Sequence, residues 1–548
     1  MNFKLLLHNE RVKKYGVLFV FILYLFIGLN VFDDYGVGTD NNTHRVISTY
    51  NLLTAAEHIT GWVHADSAKE KLGKEIIKFN PRYIGHPCGE SFGVPLVMLE
   101  ALFFGIHKNP SKEIYEFRHL MTFLFCYMGV VFFYFLIKNI SGRRSVALLT
   151  TLLLMLSPRI FTDFFYNQQD TVFLTACIMG MFFYVRFLKE KTLKNGILLG
   201  FFAAYATGIR FLGVQFIMLA LFFICLGFIK ERKINSTVLK SALGIVLVYI
   251  IFTIFHYPVS WGSPGSFFFK LLGTISRFPH ESTQLFMGQW IDDQNLPWFY
   301  LAVWMLITIP LLYILMFLYG LYCSVRKLFQ VKEIRAFSVD YQILLSAIIM
   351  FFIPILGIMI KGSPLYNGWR HLYFLYLPFL VIVSYSISAI LSRLNNVSKK
   401  TVVFSFFGAY LLSVAVWMFI NHPYQYVFFN AIPQNIESRY EKDYWGTSMI
   451  DGMKYILNVD PSEKIVVKRS RGSAKQSRNM LDKESQKRIE VMPDDSATPD
   501  NFNYFLYNGD DYETKDYAKE HNLSEVHSIK VYNSIYTQKY KIMSIYKK

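Results

Sequence analysis

Cysteine is scarce in this chain, and the few present do not pair by spacing. Of five in 548 residues, Cys126, Cys177 and Cys225 lie inside apolar segments and Cys323 ends one, which leaves Cys88 alone in a polar region. With no Cys-x-x-Cys pair, neither a structural zinc site nor a disulfide framework is supported. Charge is also sparse, at 17% of residues, and it is missing altogether from Tyr15 to Val31. That first apolar block has the basic flank of a signal peptide but no small-x-small cleavage pattern, so it is expected to be a retained span. No internal repeat of the kind that marks many transporters is visible.

What the chain has instead is apolar length. Hydrophobic residues make up 53% and aromatics 18%, with a mean hydropathy of +0.30, and they fall in uninterrupted blocks rather than amphipathic stripes. This pattern implies a polytopic α-helical integral membrane protein. About eleven spans are predicted, near 15–32, 117–137, 145–158, 171–188, 195–209, 211–229, 237–256, 298–322, 341–360, 371–392 and 401–419, the third and fifth being short.

The formal charge of +17 would fit nucleic acid if it were clustered, but it sits between the apolar blocks. Lys4, Arg11, Lys13 and Lys14 precede the first span. Every second connection then carries basic residues: Lys138, Arg143 and Arg144; Arg186, Lys189, Lys191 and Lys194; Lys230, Arg232 and Lys233; Arg326, Lys327, Lys332 and Arg335; Arg393, Lys399 and Lys400. The positive-inside rule therefore predicts a cytoplasmic N-terminus, and an odd span count predicts an extracytoplasmic segment 421–548. The charge reports topology in a membrane, expected to be a bacterial cytoplasmic membrane, and no nucleic-acid partner.

Three predicted external regions are long. The first, 33–116, begins DDYGVGTDNNTHR, includes an amphipathic helix expected over Val46–Trp62, and contains the irregular piece NPRYIGHPCGESFGVP. The second, Tyr257–Pro297, is rich in Gly, Pro and Phe. The third, 421–548, reads as a small α/β domain, with a helix over Thr447–Leu457, strands over Lys464–Lys468, Arg488–Met492 and Asn503–Tyr507, a helix near Asp511–Glu520 and a β-rich end. Residues 1–420 are then a transmembrane domain.

Asp33, Asp34 and Asp40 lie just beyond a membrane exit, where a carboxylate can reach the headgroup level at which lipid-linked substrates present their reactive groups. Acidic residues there are commonly only solvated, and Asp33 and Asp34 carry no further signal. Four arginines fall on the same predicted outer side, against the positive-inside rule: Arg118 opening span two, Arg159 after span three, Arg210 in the turn between spans five and six, and Arg370 opening span ten. One such arginine would snorkel to headgroups. Four of them point to a shared anionic site.

The run DYGVGTDNNTHRV resembles the first external loop of GT-C fold membrane glycosyltransferases, the protein mannosyltransferase and aminoarabinose transferase group known as glycosyltransferase family 39. Pieces similar to that group follow in order: EFRHLMTFLF, SPRIFTDFFYNQQD, ATGIRFLGV, PWFYLAVWMLITIP, NGWRHLYFLYLPFL, HPYQYVFFN and YEKDYWG. The resemblance implies that Asp40 is the catalytic base, although the group's Trp-Asp-Glu run is here Thr39-Asp40-Asn41. Where Asn-Pro-Lys-Asp is common in the group, this chain keeps Asn167 and Asp170 and has Gln168 and Gln169 between them.

The implied activity is inverting transfer of a hexosyl or pentosyl unit from a polyprenyl-phosphate carrier to an acceptor hydroxyl on a glycan, lipid or protein. The phosphate leaves as a stabilised anion, so one base suffices. Guanidinium groups beside the phosphate would stabilise the charge that develops on it. Arg210 and Arg370 are the first candidates, with Arg159 and Arg118 behind them. Asp163, Asn167, Asp170, His371, His422, Tyr424 and Tyr426 are candidate donor or acceptor contacts, the histidines and tyrosines also fitting an ordinary interface belt. No cofactor is expected, and the first loop shows no clear acidic metal cluster. A transporter or flippase, a diphosphate-donor oligosaccharide ligase and a non-catalytic assembly subunit remain alternatives.

Overall fold

The computed structural model describes residues 10–61, 89–107, 109–231, 235–276, 282–330, 338–394, 396–470, 472–492, 501–509 and 512–548. Lys4, Cys88, Arg232, Lys233, Lys332, Arg335 and the first half of NPRYIGHPCGESFGVP lie outside the described residues.

Among the described residues nine helices are long and apolar enough to cross a membrane, from Lys14–Val31 to Ser398–Ile420, or ten if one bent pair is a single span. The two predicted spans outside these nine, the third and the fifth, differ from the others for local physical reasons. The predicted third span is the pair Arg144–Met155 and Pro158–Tyr166, bent by 66°. Pro158 occupies the first turn of the second helix, where proline starts a helix well but cannot continue one. The predicted fifth span, Leu193–Thr207, has 15 residues, about 22 Å of rise against a hydrocarbon core of about 30 Å. It still brings the chain back, because Arg210 beyond its end is bonded to Asp170 at the start of the preceding Asp170–Lys189 helix. The predicted eighth span breaks at Pro310 into Tyr300–Thr308 and Leu311–Phe329.

Burial sorts these helices into centre and rim. The Asp170–Lys189 span is 89% buried, while Lys14–Val31 and Ser236–Phe255 are each only 17% buried. A helix apolar all round is stable in either place, since lipid takes the part of protein neighbours at the rim. The central helix thus holds Asp170 in the middle of one end of the bundle.

Over that end lie the extramembrane pieces. The expected helix runs Asn41–Thr60, five residues earlier than predicted, with Asp40 as its N-cap residue; it is not amphipathic, because its buried positions are mostly polar, Asn41, Arg45, Ser48, Thr49, Asn51 and Thr54 beside Ile47 and Leu53. A short apolar helix, Gly93–Phe104, follows. Strands β1 (Thr283–Phe286) and β2 (Gln289–Asp292) form an antiparallel hairpin. The C-terminal segment contains the predicted helix as Met449–Val459 and a five-stranded mixed sheet. Its strands are β3 (Ile465–Arg469), β4 (Ile489–Val491), β5 (Tyr504–Tyr507), β6 (Ser524–Tyr532) and β7 (Lys539–Lys547), in the order β4-β3-β5-β7-β6. Strand β3 pairs parallel to β4 and β5, and β7 antiparallel to β5 and β6. The helix expected near Asp511–Glu520 is one turn, Tyr517–Glu520.

The sheet is fastened to the last span. Trp417 donates its indole N–H to the carbonyls of Tyr532 and Asn533 at 3.0 and 3.1 Å, and the Tyr532 N–H reaches Asn421 Oδ1 at 2.7 Å. The first loop is pinned from the other side at Gly36. A Cβ there would stand 2.2 Å from the Thr447 carbonyl oxygen, so only glycine permits the contact.

A second anchor of the first loop is titratable. Glu90 is 8% exposed, takes the Ser48 hydroxyl at 2.6 Å, and donates its backbone N–H to His256 O at 3.0 Å. Burial lifts its carboxyl to about 8, opposed by the Ser48 hydrogen bond and by Arg118. The folded chain then holds a proton that the unfolded chain has lost, so stability falls as pH rises from about 4.5 to about 8. Glu90→Gln should flatten the decline of melting temperature across that window; identical slopes in both proteins would contradict the buried placement.

Candidate active site

The site is built around a turn. Past the Pro158–Tyr166 helix, Asn167 Oδ1 accepts the backbone N–H of Asp170 at 2.8 Å and of Gln169 at 3.3 Å, the asparagine-stabilised turn that favours this residue. The same amide donates through Nδ2 to Asp163 Oδ2 and Asp170 Oδ2, each at 3.2 Å. Asp170 begins the next helix, where a carboxylate is favoured by the helix dipole.

Both Asp170 oxygens are engaged by cations. Arg210 Nη2 bonds Oδ1, and Arg370 Nη1 lies 3.4 Å from Oδ2. Arg370 Nη2 also reaches Asp40 Oδ2 at 3.0 Å and donates to Asn367 Oδ1 at 3.3 Å. The chain Asp40–Arg370–Asp170–Arg210 therefore joins residues 330 positions apart in sequence. Asp170 and Arg370 are buried, but the Asp40 side chain is 36% exposed and that of Arg210 is 23% exposed. The two outer members of the chain are thus the more exposed ones, with Arg370 directly behind Asp40.

Trp445, in the YEKDYWG piece, holds both halves of this arrangement. Its carbonyl accepts the Thr39 backbone N–H at 3.1 Å and the Thr39 hydroxyl at 2.9 Å, fixing the residue before Asp40. Its ring lies 4.5 Å from the Arg370 guanidinium, and Tyr366 lies 5.2 Å away. Such stacking favours a planar guanidinium over an ammonium.

The other expected site residues are placed differently. Arg118 is 1% exposed and donates to Glu100 at 2.7 Å and to Gln168 at 2.6 Å, while Arg45 takes the other Glu100 oxygen at 2.8 Å. Arg118 thereby ties the Asn167–Asp170 turn to the first loop. Arg159 donates to Phe428 O at 3.1 Å and lies over the rings of Phe429 and Trp304. His422 bonds Asp34 at 2.8 Å and Gln425 at 3.0 Å, so Asp34 is paired and not merely solvated. Tyr424 donates to Asp451, and Tyr426 to Asp443. Those three residues join the last span to the first loop and the C-terminal segment. His371 stands edge-on to Tyr366, with centroids 4.3 Å apart.

Two residues beyond the sequence candidates belong here. Trp445 left no signal except its place in a family-like piece. His44 donates its backbone N–H to Asp40 O at 3.0 Å, one turn along the same helix. Burial holds its imidazole below the ordinary histidine range; Asp40 and Asp170 oppose that shift, and Arg370 and Arg210 add to it. The i, i+4 spacing from Asp40 would have pointed to it. Among the described residues no group of three or more His, Cys, Asp or Glu stands together in a way that could hold a metal ion.

The two aspartates should separate on mutation. Removing the carboxylate at Asp170 leaves two guanidiniums without their shared buried partner, and Asp170→Asn should cost about 3–5 kcal/mol of stability. Asp40→Asn removes a partly exposed partner and should cost within about 1 kcal/mol. Thermal unfolding of the two variants measures this, and equal losses would refute the division of roles.

Comparison with known proteins bears on the same residues. No curated protein matches the chain. Among solved structures, the chain is similar to ArnT from Cupriavidus metallidurans bound to undecaprenyl phosphate, at 10% identity over 98% of each chain with a TM-score of 0.45. It is also similar to the arabinofuranosyltransferase AftD from Mycobacteria, at 10% identity over 85% of this chain and 36% of that one, with a TM-score of 0.37. Neither likeness transfers an activity at that identity and score. The family model of dolichyl-phosphate-mannose-protein mannosyltransferases matches residues 98–257, the stretch that carries Arg118, Arg159, Asp163, Asn167, Asp170 and Arg210, and so meets there the group that the sequence motifs resemble.

Proposed function

We propose that the protein is a membrane glycosyltransferase that moves a sugar from a polyprenyl-phosphate carrier to an acceptor hydroxyl at the membrane surface holding Asp40. The observation that carries this reading is the partly exposed Asp40 carboxylate 3.0 Å from a buried arginine that shares Asp170 with Arg210. A general base and a phosphate clamp are adjacent there, as the transfer requires.

In this reading the donor phosphate docks on Arg210 and Arg370, whose positions Asp170 fixes in advance. Docking draws Arg370 toward the phosphate and frees Asp40 to accept the acceptor's hydroxyl proton. The acceptor oxygen attacks the anomeric carbon as the bond from that carbon to the phosphate oxygen breaks, with inversion. The carrier phosphate leaves with the bonding pair, and the arginines stabilise the charge it gains. The phosphate needs no protonation, so a second acid is unnecessary, and metal dependence is read by running the assay with and without a divalent cation. The charge pattern of the connections favours an extracytoplasmic position for this surface, with the C-terminal segment on the same side. The carrier tail lies in the membrane, and the acceptor is a glycan, lipid or protein hydroxyl.

Purified protein supplied with a panel of radiolabelled polyprenyl-phosphate sugars and membrane extract should give a labelled product. Asp40→Asn should lower turnover by about 10²- to 10⁴-fold while donor binding survives. Asp33→Asn, at an exposed position in the same loop, should change little. Near-normal turnover in folded Asp40→Asn would remove Asp40 as the base.

The phosphate assignment has its own readout. Arg370→Lys and Arg210→Lys keep the charge but lose the planar fork, and should raise donor KM, lower kcat, or both. Unchanged donor kinetics in both would reject the clamp.

A further inference from the structure

The opposite end of the bundle holds a cavity that the transfer reaction does not use. The Tyr376–Arg393 helix leads away from Arg370 for 18 residues, about 27 Å, and ends at an opening of about 570 Å³. Arg143, Arg326, Lys327 and Arg393 line it from three separate helix ends, with Asp340 the one carboxylate in the lining among the described residues. Among the described residues none of the four cations forms an ion pair with a carboxylate.

Basic residues at this face are what membrane topology demands. Topology does not demand that they converge on a hollow, or that among the described residues none of them pairs with a carboxylate. Lys327 lies over the rings of Tyr341 and Tyr385 at 5.2 and 5.8 Å, and Arg393 donates to the Tyr319 hydroxyl at 2.6 Å. These partners orient the cations without neutralising them. Ser324, also in the lining, is 1% exposed and its hydroxyl has no hydrogen-bond partner among the described residues, an unmet polar group of the kind a ligand oxygen satisfies. On the facing helix Ser384, Ser388 and Ser392 follow at four-residue spacing along the cavity wall, one polar stripe on one helix face.

We propose that this cavity binds a phosphate group, as the headgroup of an anionic phospholipid of the adjoining leaflet or as a soluble phosphate or diphosphate. Three arginines and a lysine match the charge and geometry of phosphate oxygens. Basic pockets between membrane helices are the usual form of such a site. The cavity lies at the far end of the helix that follows Arg370, so its occupancy does not depend on the transfer reaction.

The test uses full-length protein in phosphatidylcholine nanodiscs, with phosphatidylglycerol titrated in one arm and inorganic pyrophosphate in the other. Saturable binding is expected in at least one arm, and the arm that saturates identifies the source. Arg326→Gln with Arg393→Gln should weaken it about tenfold or more. Lys399→Gln with Lys400→Gln, an equal charge change at the start of a neighbouring helix and outside the cavity lining, should leave it intact. Ser388→Trp fills the cavity without altering charge and should also abolish binding, so a poorly folded arginine variant does not decide the matter. Failure of both arms to saturate, equal weakening by the two double variants, or full binding by Ser388→Trp would each overturn the proposal.

Discussion

The carboxylate of Asp170 is the interaction around which the rest of the site is arranged. Fully buried at the head of the most enclosed helix, it could not remain charged there alone, and Arg210 and Arg370 supply the compensation. The reverse holds as well, since two guanidiniums near the membrane surface would repel each other without the anion between them. One carboxylate with both oxygens occupied thus sets the separation of two forks arriving from different parts of the chain. Asn167, bonded to Asp163 and Asp170 together, fixes the turn from which that carboxylate projects.

Asp40 is brought to this cluster by contacts outside the membrane. The residue before it hangs from the Trp445 carbonyl, and Gly36 lies against Thr447 at a distance that admits no side chain. The C-terminal segment therefore supplies part of the frame in which the first-loop carboxylate faces Arg370. Trp445 does this with its backbone on one side and its ring on the other. The Arg45–Glu100–Arg118–Gln168 network gives a third attachment, between the first loop and the turn that carries Asp170.

The sequence by itself determined the features that depend on local composition. Uninterrupted apolar runs need a membrane or a core whatever their neighbours, so the polytopic helical architecture was legible, and alternating short runs bounded by turn residues gave the C-terminal helix and strands close to their observed limits. The third and fifth predicted spans were less legible, because whether Pro158 bends a span and whether 15 residues suffice to cross depend on what packs around them. The Asn41–Thr60 helix begins five residues before its sequence signal, since the polar run after Asp40 has no apolar periodicity to announce it.

Candidate site residues were legible as types: a carboxylate at a membrane exit and arginines on the side of the membrane where they are least expected. Which of them meet was decided only in three dimensions. Arg118 and Arg370 look alike in the sequence, each opening a span, yet one is held by Glu100 and Gln168 while the other bridges Asp40 and Asp170. Tyr424 and Tyr426 lie together in the sequence just after the last span, and only the fold shows that they bond carboxylates of the C-terminal segment. Trp445, 405 positions from Asp40, was beyond any local pattern. The physical reason is the range of the forces: helix and span formation are settled by neighbours within a few turns, whereas a charge contact depends on where the packed helices and the C-terminal segment bring side chains within a few ångströms of each other.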